Sequence, residues 1–508
     1  ISSICSKISC TTAVPGTNRR GDNKCIHLVS NGCIMKFLSV GLCVLFRLIA
    51  VSHFPSLAMG LASNSPRVGV IGAGAAGLAA ARVISREGWT PIVLEKDQEG
   101  GGVWRYVPQA KDRPMYQGLR TNLPKELMAY REFPFHSDIA ESYVTHKQVQ
   151  EYLMNYKSHF ALDKYIQYGC KVEHLKILNE ISKLAPSNDP WPTMQLDWQN
   201  TETGERYSQV FDAIVVCNGH YAAPSFTKIL GLDSFQGRIL HSIEYDDPKE
   251  FAGKTVLCIG GRASGADLAR EISHHANHVY LSDTTCKESQ VDGKVTLVPK
   301  TVGINADGSI TFDCDCPISP TDVDTIIFCS GYDYSFPFIN QDSGLEFETG
   351  RRRVAPLLDQ LWHAQYPSLT FVGLPHSVVP FPLFELQVEA VCAQWKNCQL
   401  PPMDQRLTAA RKDADGGGPQ NTRIEDTHYL GDFQWNYCRK MAQLAGLQGV
   451  EGYIQTNEEM YNHSGKTRKS TTPGGPDTYR SFQYRRPSWD EWKVLPLHDE
   501  VVIGSNTL

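Results

Sequence analysis

Two glycine-rich turns, 188 residues apart, restrict the fold of this chain more than any other feature. The first, Gly72-Ala73-Gly74-Ala75-Ala76-Gly77, follows the short apolar run Arg67-Val68-Gly69-Val70-Ile71 and opens an alanine-rich stretch, Ala75 to Arg86. An apolar run bounded by a glycine turn reads as a buried parallel strand, and the alanines carry high helix propensity. In this G-x-G-x-x-G pattern the first glycine permits the tight turn and the second lets backbone approach a pyrophosphate. The third allows close helix–strand packing, and the helix N-terminus faces the phosphate charge. Gly88 ends the helix and Pro91-Ile92-Val93-Leu94 is the next strand. Glu95, 21 residues after Gly74, is placed to accept from ribose hydroxyls.

The second turn is Gly260-Gly261-Arg262-Ala263-Ser264-Gly265-Ala266-Asp267, preceded by the run Thr255 to Ile259. A helix is predicted over Gly260 to Ser273 and a strand at Val279-Tyr280-Leu281. Gly260, Ser264, Gly265, Ala266 and Asp267 are expected to help hold a second dinucleotide. Arg262 stands at the middle-glycine position, where a side chain crowds a close-lying pyrophosphate unless the guanidinium itself contacts phosphate. Two look-alike segments, Ala213 to Gly219 and Thr325 to Gly331, mark where the chain leaves the first unit and where it returns. The fold class is therefore α/β, with two Rossmann-like dinucleotide-binding domains, the second inserted into the first, and a helical C-terminal region. The expected domains are 66–223, 224–331 and 332–508, the last completing the first unit. Lys412 to Asp426, containing Gly416-Gly417-Gly418-Pro419, reads as an exposed linker.

Length and charge agree with this division. A chain of 508 residues accommodates two or three domains, and a net charge of -6 with no long basic run argues against nucleic-acid binding. Residues 1–34 have no periodic apolar pattern and read as an unstructured or non-native leader. From Met35 the pattern becomes a basic Lys36, an apolar run Phe37 to Phe46 and small residues at Ser56-Leu57-Ala58. This predicts a cleaved signal peptide over 35–58, rather than a signal anchor, and a secretory destination, with a cytoplasmic or ER-associated location as the alternative. Arg47 and His53 interrupt the run, which falls short of the ~20 apolar residues of a spanning helix. Nothing after residue 60 reads as transmembrane. Among the 15 cysteines, Cys217, Cys258 and Cys329 lie in strand-like runs as small buried hydrophobes. Cys286, Cys314, Cys316, Cys392, Cys398 and Cys438 are candidates for one or two disulfides of undetermined pairing. No metal site is expected, since Cys314-Asp315-Cys316 lacks the usual spacer and no histidine pair accompanies it.

Ahead of the second turn, Phe235-Gln236-Gly237-Arg238-Ile239-Leu240-His241-Ser242-Ile243-Glu244-Tyr245 fits F-x-G-x-x-x-H-x-x-x-[YF]. This resembles the signature of the flavin-containing monooxygenases; the related Baeyer–Villiger enzymes end the motif in tryptophan. The resemblance covers most of 66–500. Thr121-Asn122-Leu123-Pro124 resembles the family segment whose asparagine lies beside the flavin and the nicotinamide, which implies Asn122 as the catalytic residue and Thr121 and Leu123 as cofactor neighbours. Phe328-Cys329-Ser330-Gly331-Tyr332 resembles the family's F-A-T-G-Y linker, and Pro380 to Gln387 the stretch after the last flavin-domain strand. In Glu99-Gly100-Gly101-Gly102-Val103-Trp104 the glycines allow close approach of a flavin, with Val103 and Trp104 walling it. His428 to Tyr437 and the leader look closest to insect members, among them the pyrrolizidine-alkaloid (senecionine) N-oxygenases.

The resemblance implies FAD and NADPH as cofactors, capture of O2 as a C4a-hydroperoxyflavin, and oxygen transfer to a tertiary amine, alkaloid or sulfide. This is an N,N-dimethylaniline-type monooxygenase activity, with FAD bound by Gly72, Ala73, Gly74, Ala75, Ala76, Gly77 and Glu95. A homo-oligomer is compatible with it. His241 is expected to be structural or cofactor-supporting. Asp283, in Leu281-Ser282-Asp283-Thr284-Thr285, repels a 2′-phosphate if it points inward, with Arg262 or Lys287 as compensating cations. A disulfide reductase is disfavoured because no cysteine lies between Cys43 and Cys170. A Baeyer–Villiger ketone oxygenase and a non-catalytic flavin-binding protein are the alternatives.

Overall fold

The computed structural model describes residues 65–314, 320, 322–420, 423–470 and 477–495, with the backbone of 502–504. The leader and signal-peptide expectations lie outside these residues. The chain enters strand β1 (Arg67–Ile71), helix α1 (Ala75–Arg86) and strand β2 (Thr90–Leu94). After α2 (His146–His159) and β3 (Ile166–Gln167), an antiparallel three-stranded sheet over Cys170–Phe211 leads into β4 (Ala213–Val216). The chain then forms β5 (Arg238–His241), β6 (Thr255–Ile259), α3 (Ala263–Ser273), β7 (His278–Ser282), β8 (Gln290–Asp292), β9 (Val295–Val298) and β10 (Thr325–Phe328). Next come strands β11 (Leu357–Leu358), β12 (Trp362–His363) and β13 (Leu369–Phe371). Helices α4 (Pro380–Asn397), α5 (Met403–Asp415), α6 (Gln434–Leu444) and α7 (Glu451–Lys469) come last.

These strands make two sheets. The first has the order β11-β12-β13-β4-β1-β2-β3 and the second β8-β9-β7-β6-β10-β5. Strands β1, β2, β4 and β13 run parallel, as do β5, β10, β6, β7 and β9. The inner strands β4, β6 and β10 are buried at every position, as both-face coverage of a parallel sheet requires. Between the sheets the chain crosses twice, at Ala223–Pro224 and at Tyr332–Asp333, and the two crossings pair antiparallel.

Helix α1 buries eight residues, chiefly alanine, which lets it lie close to the sheet while α4 packs over it. Helix α4 is buried on nearly all sides, starts with proline in its first turn and ends on Cys398 at φ +51°. Two expectations are corrected. Helix α3 starts at Ala263, because Gly260 to Arg262 form the turn itself. Lys412–Asp426 is exposed only in part: α5 runs to Asp415, and Gly417, Gly418 and Asp426 are buried, while Lys412, Asp415, Gly416, Gln420 and residues 423–425 are exposed. A side chain at Gly418 would meet the Thr427 carbonyl at 2.0 Å, so the loop is packed against the backbone at Thr427. The C-terminal region also adds an unanticipated antiparallel sheet of Gln483–Arg485, Trp492–Leu495 and Val502–Gly504. Cys286, Cys392, Cys398 and Cys438 are free thiols, whereas Cys314 is disulfide-bonded. Among the described residues no helix is long and apolar enough to cross a membrane.

Candidate active site

The first turn is built by contacts that only its glycines allow. Gly72 sits at φ +100°, and a Cβ on it would lie 2.7 Å from the Cys217 carbonyl at the end of β4. A Cβ on Gly77 would lie 1.8 Å from the Gly72 carbonyl, so the helix–strand approach leaves no room for alanine. Helix α1 carries neither a side-chain cap nor an acid in its first turn. Helix α2, by contrast, is closed by a Thr145–Gln148 capping box. Uncapped N–H groups behind a glycine turn suit a phosphate. Ala73 and Ala75 are buried, while Gly74 and Ala76 are partly open.

Glu95 is 5% exposed and receives the Ala73 N–H at 2.6 Å on one oxygen and the Asp97 N–H at 3.0 Å on the other. Burial raises its pKa, and the two backbone donors oppose that shift. Two of its roughly four lone-pair sites remain for a ribose. The triple-glycine loop is held against the turn: the Gly101 N–H donates to the Ala73 carbonyl, and the Gln150 amide donates to the Gly100 carbonyl. A Cβ on Gly102 would meet the Gly74 Cα at 2.9 Å. Val103 and Trp104 come next on this loop, half-buried, with Trp104 edge-on to Phe381 of α4.

Thr121 and Val144 exchange hydrogen bonds, and the Lys125 N–H donates to the Ser142 carbonyl. This pins the segment of Thr121, Asn122 and Leu123 on the first unit, where Leu123 packs against the main core. Asn122 is half-buried. Arg480, which carried no motif signal, donates to the Thr121 carbonyl at 2.8 Å and to the Asp267 carboxylate of α3 at 3.0 Å. Asp267 also binds Arg270 at 2.9 Å. Asp267, expected to help hold the second dinucleotide, makes these two arginine contacts, and through Arg480 it ties the Asn122 segment to the second unit.

The second turn repeats the first. Gly260 sits at φ +117° against the Cys329 carbonyl, and a Cβ on Gly265 would lie 1.8 Å from the Gly260 carbonyl. Arg262 adopts φ −74° and ψ −170°, close to the −73° and −173° of Gly74, so a side chain is accommodated without backbone strain. That side chain is exposed, and its charge acts on Arg352 and Asp426. Helix α3 likewise lacks a side-chain cap and a first-turn acid. Ser264 is exposed and Ala266 half-buried at its mouth.

Two side chains of the Phe235-to-Tyr245 motif make contacts that hold the second unit together. Fully buried His241 reaches the Gly331 carbonyl through Nε2 at 3.0 Å and receives the Ile243 N–H on Nδ1 at 3.2 Å. It joins edge strand β5 to the returning crossover as a neutral ring, and burial lowers its pKa. Tyr245 donates to Glu271 of α3 at 2.9 Å. A polar cluster that no motif announced also gathers near Arg262: His376 meets Asp426 at 2.8 Å, as does Arg352, and His428 receives the Val354 N–H. These residues are far apart in sequence, so spacing carried no signal for them.

Residues 65–296 match the model of the family described as flavin-binding monooxygenase-like. The chain is 31% identical over 463 residues to flavin-containing monooxygenase FMO GS-OX-like 4 of Arabidopsis thaliana, covering 85% of this chain and 96% of that relative. It is 34% identical over 415 residues to flavin-containing monooxygenase FMO GS-OX5 of the same plant, covering 75% and 85%. Among solved structures it is similar to S-allyl-L-cysteine S-oxygenase from Allium sativum, with a TM-score of 0.73 and 29% identity. That match covers 82% of this chain and 95% of that one.

Proposed function

The chain belongs to the flavin-containing monooxygenase family, and from that premise we propose that it transfers one oxygen atom of O2 to a soft sulfur or nitrogen nucleophile. FAD and NADPH are its cofactors. FAD reduced by NADPH supplies the oxygen-transfer chemistry, and the protein supplies binding, orientation and exclusion of water.

The residues fit those groups. Gly72, Gly74 and Gly77, with the uncapped start of α1, would cradle the FAD pyrophosphate, and Glu95 would take its ribose. Gly260, Ser264, Gly265 and Ala266, with the uncapped start of α3, would do the same for NADPH. The carrying observation is the double anchorage of Thr121–Leu123: main-chain bonds to the first unit on one side, Arg480 and Asp267 on the other. Asn122 would then stand between the two dinucleotides, its amide oriented toward the reacting oxygen or the nicotinamide. His241 and Tyr245 would act as positioning residues for the second unit.

A sulfide is the first-choice substrate, supported by the likeness to an S-allyl-L-cysteine S-oxygenase. A tertiary-amine alkaloid is the second reading, supported by the resemblance of His428–Tyr437 to insect N-oxygenases. The test incubates the FAD-loaded full chain with NADPH across S-alkyl cysteines, tertiary amines, a pyrrolizidine alkaloid and cyclic ketones, reading products by mass. Sulfoxide or N-oxide formed with NADPH consumption supports the proposal. Lactones from the ketones alone would move the chain to the Baeyer–Villiger class, and no oxygenated product from any of these would overturn the oxygenase reading.

A further inference from the structure

The two turns match residue for residue, and that register gives Asp283 a role. Ile71 pairs with Leu94 and Ile259 with Ser282; the Gly72 N–H donates to the Leu94 carbonyl and the Gly260 N–H to the Ser282 carbonyl. Asp283 is therefore the counterpart of Glu95, and Gly261 of Ala73. The carboxylates are held alike. Glu95 receives the N–H two residues on, from Asp97, and leans over the turn to the Ala73 N–H. Asp283 receives the N–H two residues on, from Thr285, at 2.6 Å, and the Thr285 hydroxyl at 2.7 Å. Its other oxygen leans over Gly261, where a Cβ would lie only 2.0 Å away. Glycine at 261 thus makes room for the shorter acid to reach the place that Glu95 reaches past an alanine.

An acid at this position accepts a hydrogen bond from a free ribose 2′-hydroxyl, whereas a 2′-phosphate needs a cation there. The side-chain hydrogen bonds of Asp283 go to Thr285 rather than to either neighbouring cation. The charge of Arg262 acts on Arg352 and Asp426, and Lys287 is an exposed side chain held in water.

We propose that Asp283 is a specificity-determining residue that lets the second site accept a dinucleotide with a free 2′-hydroxyl, so that NADH serves as a reductant alongside NADPH. This rests on the reading of the second turn as the nicotinamide site. The test is calorimetric titration of the oxidised, FAD-loaded chain with NAD+ and with NADP+. The native chain is expected to bind the two with dissociation constants within about tenfold of each other. Asp283→Ser should shift their ratio at least about tenfold toward NADP+, with FAD absorbance unchanged. Asp283→Asn, which keeps the size of the side chain, should shift it in the same direction. Native binding that favours NADP+ by more than about tenfold, or a ratio unmoved in both variants, would overturn the proposal. If neither nucleotide binds while FAD is retained, the nicotinamide-site reading falls and this inference with it.

Discussion

At the scale of single residues, the side chains that matter most are held by backbone rather than by one another. Asn122 owes its place to main-chain bonds on either side, so its position does not depend on its own amide. Asn122→Ala should therefore leave FAD bound and NADPH oxidation running. Substrate oxygenation should drop roughly tenfold or more, as expected for loss of one hydrogen-bond donor to a reacting centre, with peroxide released instead. Product yield per NADPH, with peroxide measured in parallel, checks this; unchanged coupling would remove Asn122 from the chemistry. Asn122 was legible through its Leu-Pro context only by resemblance, since a lone asparagine before Leu-Pro otherwise reads as a turn residue. Arg480 was not legible at all: its partners Thr121 and Asp267 are brought to it from remote parts of the chain.

At the scale of elements, each strand–turn–helix unit works by the closeness of its helix to its strand. Adding one methyl at Gly77 or Gly265 meets a carbonyl at 1.8 Å in both cases. Gly265→Ala is expected to abolish NADP+ binding while FAD stays bound, and Gly77→Ala to empty the FAD site. Each substitution should cost about 1–3 kcal/mol from overpacking. Flavin absorbance and nucleotide titration separate the two outcomes. Helix α4 gives a pH effect. Its Glu385 is 7% exposed and accepts the Arg131 N–H at 2.7 Å; burial pushes its pKa up to about 7. In the unfolded chain it ionises near its ordinary value, so between those two pH values the folded state holds the extra proton. Stability from this group then falls as pH rises from about 4.5 to about 7, by on the order of 3 kcal/mol. Glu385→Gln should flatten that slope and raise the melting temperature at about pH 8 relative to the parent. Equal slopes in the two proteins would refute it.

At the scale of the whole molecule, the two nucleotide units are joined by the paired crossovers at Ala223–Pro224 and Tyr332–Asp333, by His241, and by the Arg480–Asp267 link. Arg480→Met should lower stability by about 3 kcal/mol, because Asp267 and Asp477 lose a buried partner. It should also raise the KM for NADPH while FAD occupancy holds. A melt and a KM measurement on one preparation test both, and a fall in stability with an unmoved KM would make the link purely structural. The sequence by itself determined both nucleotide turns, the strands and helices that frame them, and the acid after each, because those are short-range patterns dictated by backbone sterics and hydrophobic periodicity. Only the tertiary structure decided that Gly418 is packed rather than free, since its burial comes from the close approach of the Thr427 backbone. The same holds for the sites where distant segments converge: the arginine that spans the two units, the histidine cluster near Arg262, and the lean of Asp283 over Gly261. Those depend on how the chain folds back on itself, which no local pattern encodes.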